Sequence, residues 1–208
     1  MTRPVSALLI AGFAAAAKHR VIDSLLRQRP AGEQWALIAP ASLLGEARWN
    51  GGQPPPGLQV ETVAPGCPCC TGLVPFSTGL TALLRKLRDA PVARLLIEGG
   101  NEGHIESVAR LLQSEGFREH VALVQALAVI DPAWLADPRA SAQAALHELA
   151  GAADGLVAAP WEESSTARAA FGTFAQRHSK PWTVLTHGEL DTGFSRAVLN
   201  ASTSASAA

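Results

Sequence analysis

ALLIAGFAAAAKHRVIDSLL, residues 7–26, decides how this chain folds. Its first five residues are apolar without alternation. Such a run fits a strand covered by helices on both faces, because each face then needs apolar side chains. Gly12 and a run of alanines follow, and from Lys18 the period changes. Val21, Ile22, Leu25 and Leu26 fall on one face of a helix over Lys18–Arg29. The segment therefore reads as strand, short connection, helix.

The same alternation recurs along the chain. Strand-length apolar runs lie at Val5–Ala11, Trp35–Ala39, Leu58–Val63, Ala93–Glu98, Val121–Ile130, Gly155–Ala159 and Trp182–Leu185. Helical periods lie between them, at Phe76–Arg88, Glu106–Glu115, Ser141–Leu149 and Ser164–His178. Repeated strand-then-helix implies a three-layer α/β fold with a mostly parallel central sheet. The expected domain covers residues 1–195. Residues 196–208, rich in Ala and Ser, are expected to form a disordered tail. The Pro- and Gly-rich Asn50–Gly57 reads as a loop.

Composition narrows the function. Of 208 residues, 48% are hydrophobic and 17% charged, enough apolar content for a sizeable core. The net charge of −1 gives no footprint for nucleic acid or an anionic membrane surface. No apolar run reaches the ~18 residues of a spanning helix. The first residues have the outline of a signal peptide, but they also form a buried strand and carry a motif, so the expected location is the cytoplasm.

That motif is the spacing of Gly12 and Lys18, which matches G-x-x-x-x-G-K-[ST]. A loop of this type cradles phosphate with backbone N–H groups, while its Lys neutralises charge and its Ser/Thr oxygen binds Mg²⁺. Here Ala17 replaces the second glycine and His19 the hydroxyl residue. If Ala17 adopted the positive φ of a loop glycine, it would carry a cost of ~1–2 kcal/mol. His19 offers nitrogen where Mg²⁺ prefers oxygen. Gly12, Lys18 and His19 thus form a degenerate phosphate site, with Mg-nucleotide binding weak or absent. The alternative is an alanine-rich turn with a solvated Lys18.

The second cluster is PGCPCCTG, Pro65–Gly72, which holds all three cysteines of the chain: Cys67, Cys69 and Cys70. An odd, clustered set makes a poor disulfide framework. Three thiolates this close can converge on one soft ion, zinc above all, leaving an open fourth position that suits transfer better than permanent holding. Three reduced thiols in a tight loop, or a redox pair, are the alternatives.

Taken together, AGFAAAAKHR (Ala11–Arg20), GCPCCTG (Gly66–Gly72), LLIEGGNEG (Leu95–Gly103), LAVIDPAWL (Leu127–Leu135) and DGLVAAPWEE (Asp154–Glu163) resemble the CobW-type P-loop GTPases, relatives of HypB and UreG. The resemblance implies a P-loop NTPase-like fold and a place in metal trafficking or homeostasis. It also implies a metal-linked role for Glu98, which matches the acidic position of the family's fourth-strand motif. The departures are equally informative. AAPW (Ala158–Trp161) stands where the guanine-reading Asn-Lys-x-Asp is expected, and Leu37–Trp49 keeps only a trace of the family's stretch. The smaller C-terminal domain with its His-rich segment is also expected to be lacking. The leading expectation is a zinc-binding, degenerate relative that serves a metalloprotein client, with possible self-association or pairing with an intact relative. A working NTPase and a non-catalytic scaffold are the competing readings.

Overall fold

The computed structural model describes residues 4–41, 53–64, 72–101, 104–161 and 165–204. β1 (Val5–Gly12) is followed by α1 (Ala15–Arg27), β2 (Trp35–Pro40), β3 (Leu58–Val63), α2 (Leu73–Asp89), β4 (Arg94–Glu98), α3 (Ile105–Leu112) and β5 (Val121–Ile130). Two short helices, α4 (Ala133–Ala136) and α5 (Pro138–Ser141), precede α6 (Ala144–Ala152) and β6 (Gly155–Ala158). The remainder is α7 (Ser165–Arg177), β7 (Trp182–Thr186), β8 (Glu189–Leu190) and α8 (Thr192–Ser204).

The strands form one sheet in the order β3-β2-β4-β1-β5-β6-β7-β8. All neighbours are parallel except β7 and β8. Alternation of side chains explains the unbroken apolar run of β1. Ala7, Leu9 and Ala11 join the core on the side of α2, α3, α6 and α7. Leu8 and Ile10 join the core under α1 and α8. The expected three-layer α/β architecture with a mostly parallel sheet is what the chain adopts. Among the described residues, no helix is long and apolar enough to cross a membrane.

Local differences from the sequence reading have local causes. α1 begins at Ala15, three residues before Lys18, because the alanines are the strongest helix formers and wind into the first turn. The helix expected at Ser141–Leu149 divides. Asp137 caps α5 by accepting from the Arg139 N–H at 2.8 Å, with Pro138 at its first position, and α6 starts afresh at Ala144. The tail expected to be disordered from residue 196 instead continues as α8 to Ser204. Low-complexity composition concealed an apolar face: Val198 is buried, and Phe194 and Leu199 pack against the same core. Asp191 caps that helix, its carboxylate accepting from the Phe194 N–H at 2.8 Å.

β8 fastens α1 to this end of the molecule. Buried Ser24 accepts from the Leu190 N–H at 2.9 Å and donates to Glu189 at 3.2 Å. Burial alone would raise the Glu189 carboxyl, but hydrogen bonds from Arg27, Ser24 and Gln28, with the Arg27 charge, bring it below its ordinary value.

α7 ends differently. The Lys180 N–H returns to the Ala175 carbonyl at 3.0 Å, and Ser179 between them takes φ 53°. That left-handed position ordinarily belongs to glycine. Replacing Ser179 by Gly removes a steric cost of ~1–2 kcal/mol but adds backbone entropy to the unfolded chain. We expect Ser179→Gly to stabilise by about 0.5–1 kcal/mol. Urea unfolding should show a higher midpoint with an unchanged slope.

Candidate functional site: the crevice at the end of β1

The sheet reverses its winding around β1. The chain moves outward from β1 to β2 and β3, returns to β4 beside β1, then crosses to β5 on the other side. In open α/β sheets, such a switch point opens a crevice at the carboxyl ends of the strands. Gly12 ends β1 here and Glu98 ends β4, in register with Ile10. Gly12 is required by close approach, since a Cβ would lie 2.5 Å from the Val129 carbonyl oxygen of β5.

Only Phe13 and Ala14 separate β1 from α1. Ala17 lies inside the helix, buried against the α1 core, and carries no positive φ. The expected strain at this position is therefore absent, because the segment is wound as helix rather than opened as a loop. Phe13 turns the other way and stacks on Trp134 of α4, with ring centroids 5.2 Å apart.

Lys18 is 1% exposed, so the solvated-lysine alternative fails. Its ammonium donates to the Gly12 carbonyl at 3.1 Å, the Gly99 carbonyl at 2.8 Å and Asn101 Oδ1 at 2.8 Å. An ammonium has three N–H donors, and among the described residues these oxygens lie within their reach. A buried charge is tolerated only when so satisfied. The turn after β4 is fixed a second time by the Gly99 N–H, which donates to Ile10 at 2.8 Å.

His19, the next residue, places Nε2 3.0 Å from Glu98 Oε1, with the two side chains 12% and 3% exposed. The position that supplies a Mg²⁺ hydroxyl in a working phosphate loop is thus joined directly to the acidic end of β4. Gly12, Lys18, His19 and Glu98 are brought together at this edge. Asn101 is the partner the sequence reading missed. Its signal was faint, a lone amide three residues beyond Glu98.

Cys67, Cys69 and Cys70 lie outside the described residues. Their segment connects the carboxyl end of β3 to the start of α2, so it leaves from the same edge of the sheet. Among the described residues, no three His, Cys, Asp or Glu side chains gather as a metal cluster.

The loops after β6 and β7 bound a cleft of about 380 Å³ with α1, lined by Arg20, Asp23, Arg27, Trp161 and His187 among others. Ala158 and Ala159 are fully buried, and Trp161, aligned with the base-reading carboxylate, is half-buried and lines this cleft. Asp131 caps the following turn, accepting from the Ala133 N–H at 2.9 Å, and His104 and His120 are exposed.

Two substitutions test this geometry. Lys18→Met keeps the apolar stem but leaves the buried Gly12 and Gly99 carbonyls without this donor, each worth ~1–3 kcal/mol when buried and unsatisfied. We expect a loss of about 2–4 kcal/mol by denaturant unfolding, against about 0.5 kcal/mol for a lysine that merely faces solvent. His19→Ala should cost about 1–3 kcal/mol by removing the imidazole from buried Glu98, with Glu98→Gln recovering part of that loss in the double variant.

Comparison with known proteins places this crevice. The family model described as CobW/HypB/UreG, nucleotide-binding domain, matches residues 6–165. The structure of Zn(II)-bound YjiA GTPase from E. coli superposes with a TM-score of 0.62 at 18% identity, over 92% of this chain and 61% of that one. The signal recognition particle receptor FtsY from Elizabethkingia anophelis, in complex with GDP, gives 0.60 at 14% identity, over 97% of this chain and 64% of that one. Hydrogenase maturation factor HypB from Archaeoglobus fulgidus gives 0.53 at 15% identity, over 94% and 91%. The chain spans about three fifths of the YjiA structure. No match is found among curated proteins. At these identities the structural likenesses establish the fold, and the family model establishes the lineage: the chain belongs to the CobW/HypB/UreG family through its nucleotide-binding domain.

Proposed function

We propose that this chain is a metal-handling member of its family that works without a nucleotide cycle. The observation that carries the reading is the occupation of the catalytic positions by the protein's own groups. Lys18 is held by three protein oxygens, and His19 is joined to Glu98 at 3.0 Å. A polyphosphate would have to take Lys18 from Gly12, Gly99 and Asn101. Mg²⁺ would have to separate His19 from Glu98 and accept a nitrogen neighbour where it prefers oxygen. Phosphoryl transfer relies on Lys and Mg²⁺ to neutralise the developing charge, so both losses strike the same step. The apolar AAPW segment removes base selection as well.

The remaining chemistry is metal binding by Cys67, Cys69 and Cys70. Three thiolates with an open fourth position suit zinc and permit its transfer to a client metalloprotein. The Zn(II)-bound state of the YjiA relative supports this class of ligand. Glu98 joins the reading through His19. A carboxylate on one imidazole nitrogen orients the ring and raises its basicity, the arrangement that commonly backs a metal-ligating histidine.

Two titrations on the reduced protein test the proposal. Calorimetry with Mg-GTP and Mg-ATP should show no binding tighter than about millimolar and no turnover. Micromolar affinity with hydrolysis would instead make the chain a working NTPase. Added Co²⁺ should give thiolate-to-metal absorption in the near ultraviolet at about one ion per chain. Serine at any one of the three cysteines should weaken it steeply, and affinity should fall at low pH as the thiols take up protons. If that absorption is missing with cobalt in excess, the cysteine segment is a remnant, and a scaffold that pairs with an intact relative becomes the better account.

A further inference from the structure

Two histidines meet away from the crevice. His147 lies in α6, and His178 follows α7, close to the amino end of β7. His147 Nδ1 and His178 Nε2 are 3.0 Å apart, and His147 Nε2 is 2.9 Å from the Ser141 carbonyl oxygen. A carbonyl only accepts, so His147 Nε2 carries a proton, and in the neutral ring Nδ1 is then a lone pair. His178 Nε2–H must therefore be the donor between them. Phe174 packs on both rings, with centroids 5.5 Å from His147 and 4.7 Å from His178.

The approach is nearly head-on, since ring centroids 5.2 Å apart accompany the 3.0 Å nitrogen separation. A metal on that line would need the nitrogens about 4 Å apart, at ~2.0 Å per bond. The observed spacing suits one proton. A first added proton is tolerated, because a charged His178 still donates through Nε2 and the bond strengthens. A second is not. With both rings charged, an N–H faces an N–H and the bond is lost.

The surroundings oppose added charge. The charged groups acting on His178 are His147 from α6, Arg177 from α7 and Lys180 from the link to β7, all cationic when charged. The carbonyl end of α7 favours a cation, but Arg177 already occupies its last turn. Burial foremost, then these neighbours, hold the His178 imidazole below its ordinary value. A lowered value means that the unfolded chain takes up protons first, so this contribution to stability is present above the ordinary histidine value and is lost as pH falls.

We propose that His147 and His178 form an acid-sensitive latch between α6 and the end of α7, closed by a single shared proton position and forced open when both rings are charged. What the latch holds is the C-terminal turn of α7, where Ser179 is left-handed and the Lys180 N–H returns to Ala175. Opening frees that turn while the sheet stays intact.

Nitrogen NMR of the imidazoles and amide hydrogen exchange test this on the full chain. The His178 ring should take up its proton below the ordinary histidine value. His147 Nε2–H should persist through that step. Corrected for intrinsic rates, protection at Ser179 and Lys180 should hold while one ring is charged and fall about tenfold or more as pH drops from roughly 6 to 4, while β1 and β5 keep theirs. In His178→Gln, whose amide can still donate to His147 but cannot titrate, protection should change less than about twofold over the same range. Titration of His178 at the ordinary histidine value, with no change at the His147 ring, would overturn the latch. So would an equal loss of protection in His178→Gln. The wild-type titration decides the matter even if that variant folds poorly.

Discussion

Everything at the carboxyl edge of the sheet depends on one buried ammonium. Lys18 joins the end of β1, the first turns of α1 and the turn after β4 through Gly12, Gly99 and Asn101. A charge buried in this way is a heavy constraint. It must keep all its hydrogen bonds, because a single missing one exposes the desolvation cost that the others offset. The helix start, the course of the β4 turn and the presence of Asn101 are therefore a single arrangement. His19 depends on it too, since the helix that positions Lys18 also sets the next side chain against Glu98.

The sheet was largely legible from the sequence, for a simple physical reason. A strand covered on both faces cannot hide its pattern: β1, β2 and β5 are nearly uniform apolar runs, and β4 has an apolar centre between Arg94 and Glu98. β3 and β5 were bounded to the residue, and the other five sequence-read strands within one residue at either end. Elements at the margin were harder to read. β8 has two residues, too few for any period, and it exists because Ser24, Arg27 and Gln28 hold it. α8 was concealed by small residues whose composition outweighed the spacing of Phe194, Val198 and Leu199.

The site was legible in part. Spacing picked out Gly12, Lys18 and His19, and the family resemblance marked Glu98. What spacing could not supply was conformation. A glycine in a loop motif suggests positive φ, so alanine in its place suggests strain. The alanine run removed the strain by extending the helix through the position, a tertiary outcome that no single substitution predicts. Asn101 and the His147–His178 pair were invisible for another reason. Their partners are 83 and 31 residues away in sequence, and only the topology brings them together.

The substitutions in the phosphate loop are consistent with one another. An alanine at position 17 favours helix, which brings Lys18 back over Gly12. Asn101 supplies the acceptor that a phosphate oxygen would otherwise provide. Histidine at position 19 reaches Glu98 directly, a contact that a serine or threonine hydroxyl would be too short to make without a bridging ion. A buried lysine and a buried carboxylate each destabilise the fold unless protein groups meet them. Here Lys18 is met by Gly12, Gly99 and Asn101, and Glu98 by His19, so the end of β4 and the root of α1 are held in one arrangement. The root of α1 and the end of β4 are thereby tied together at the switch point of the sheet, beside the edge where β1 and β4 end.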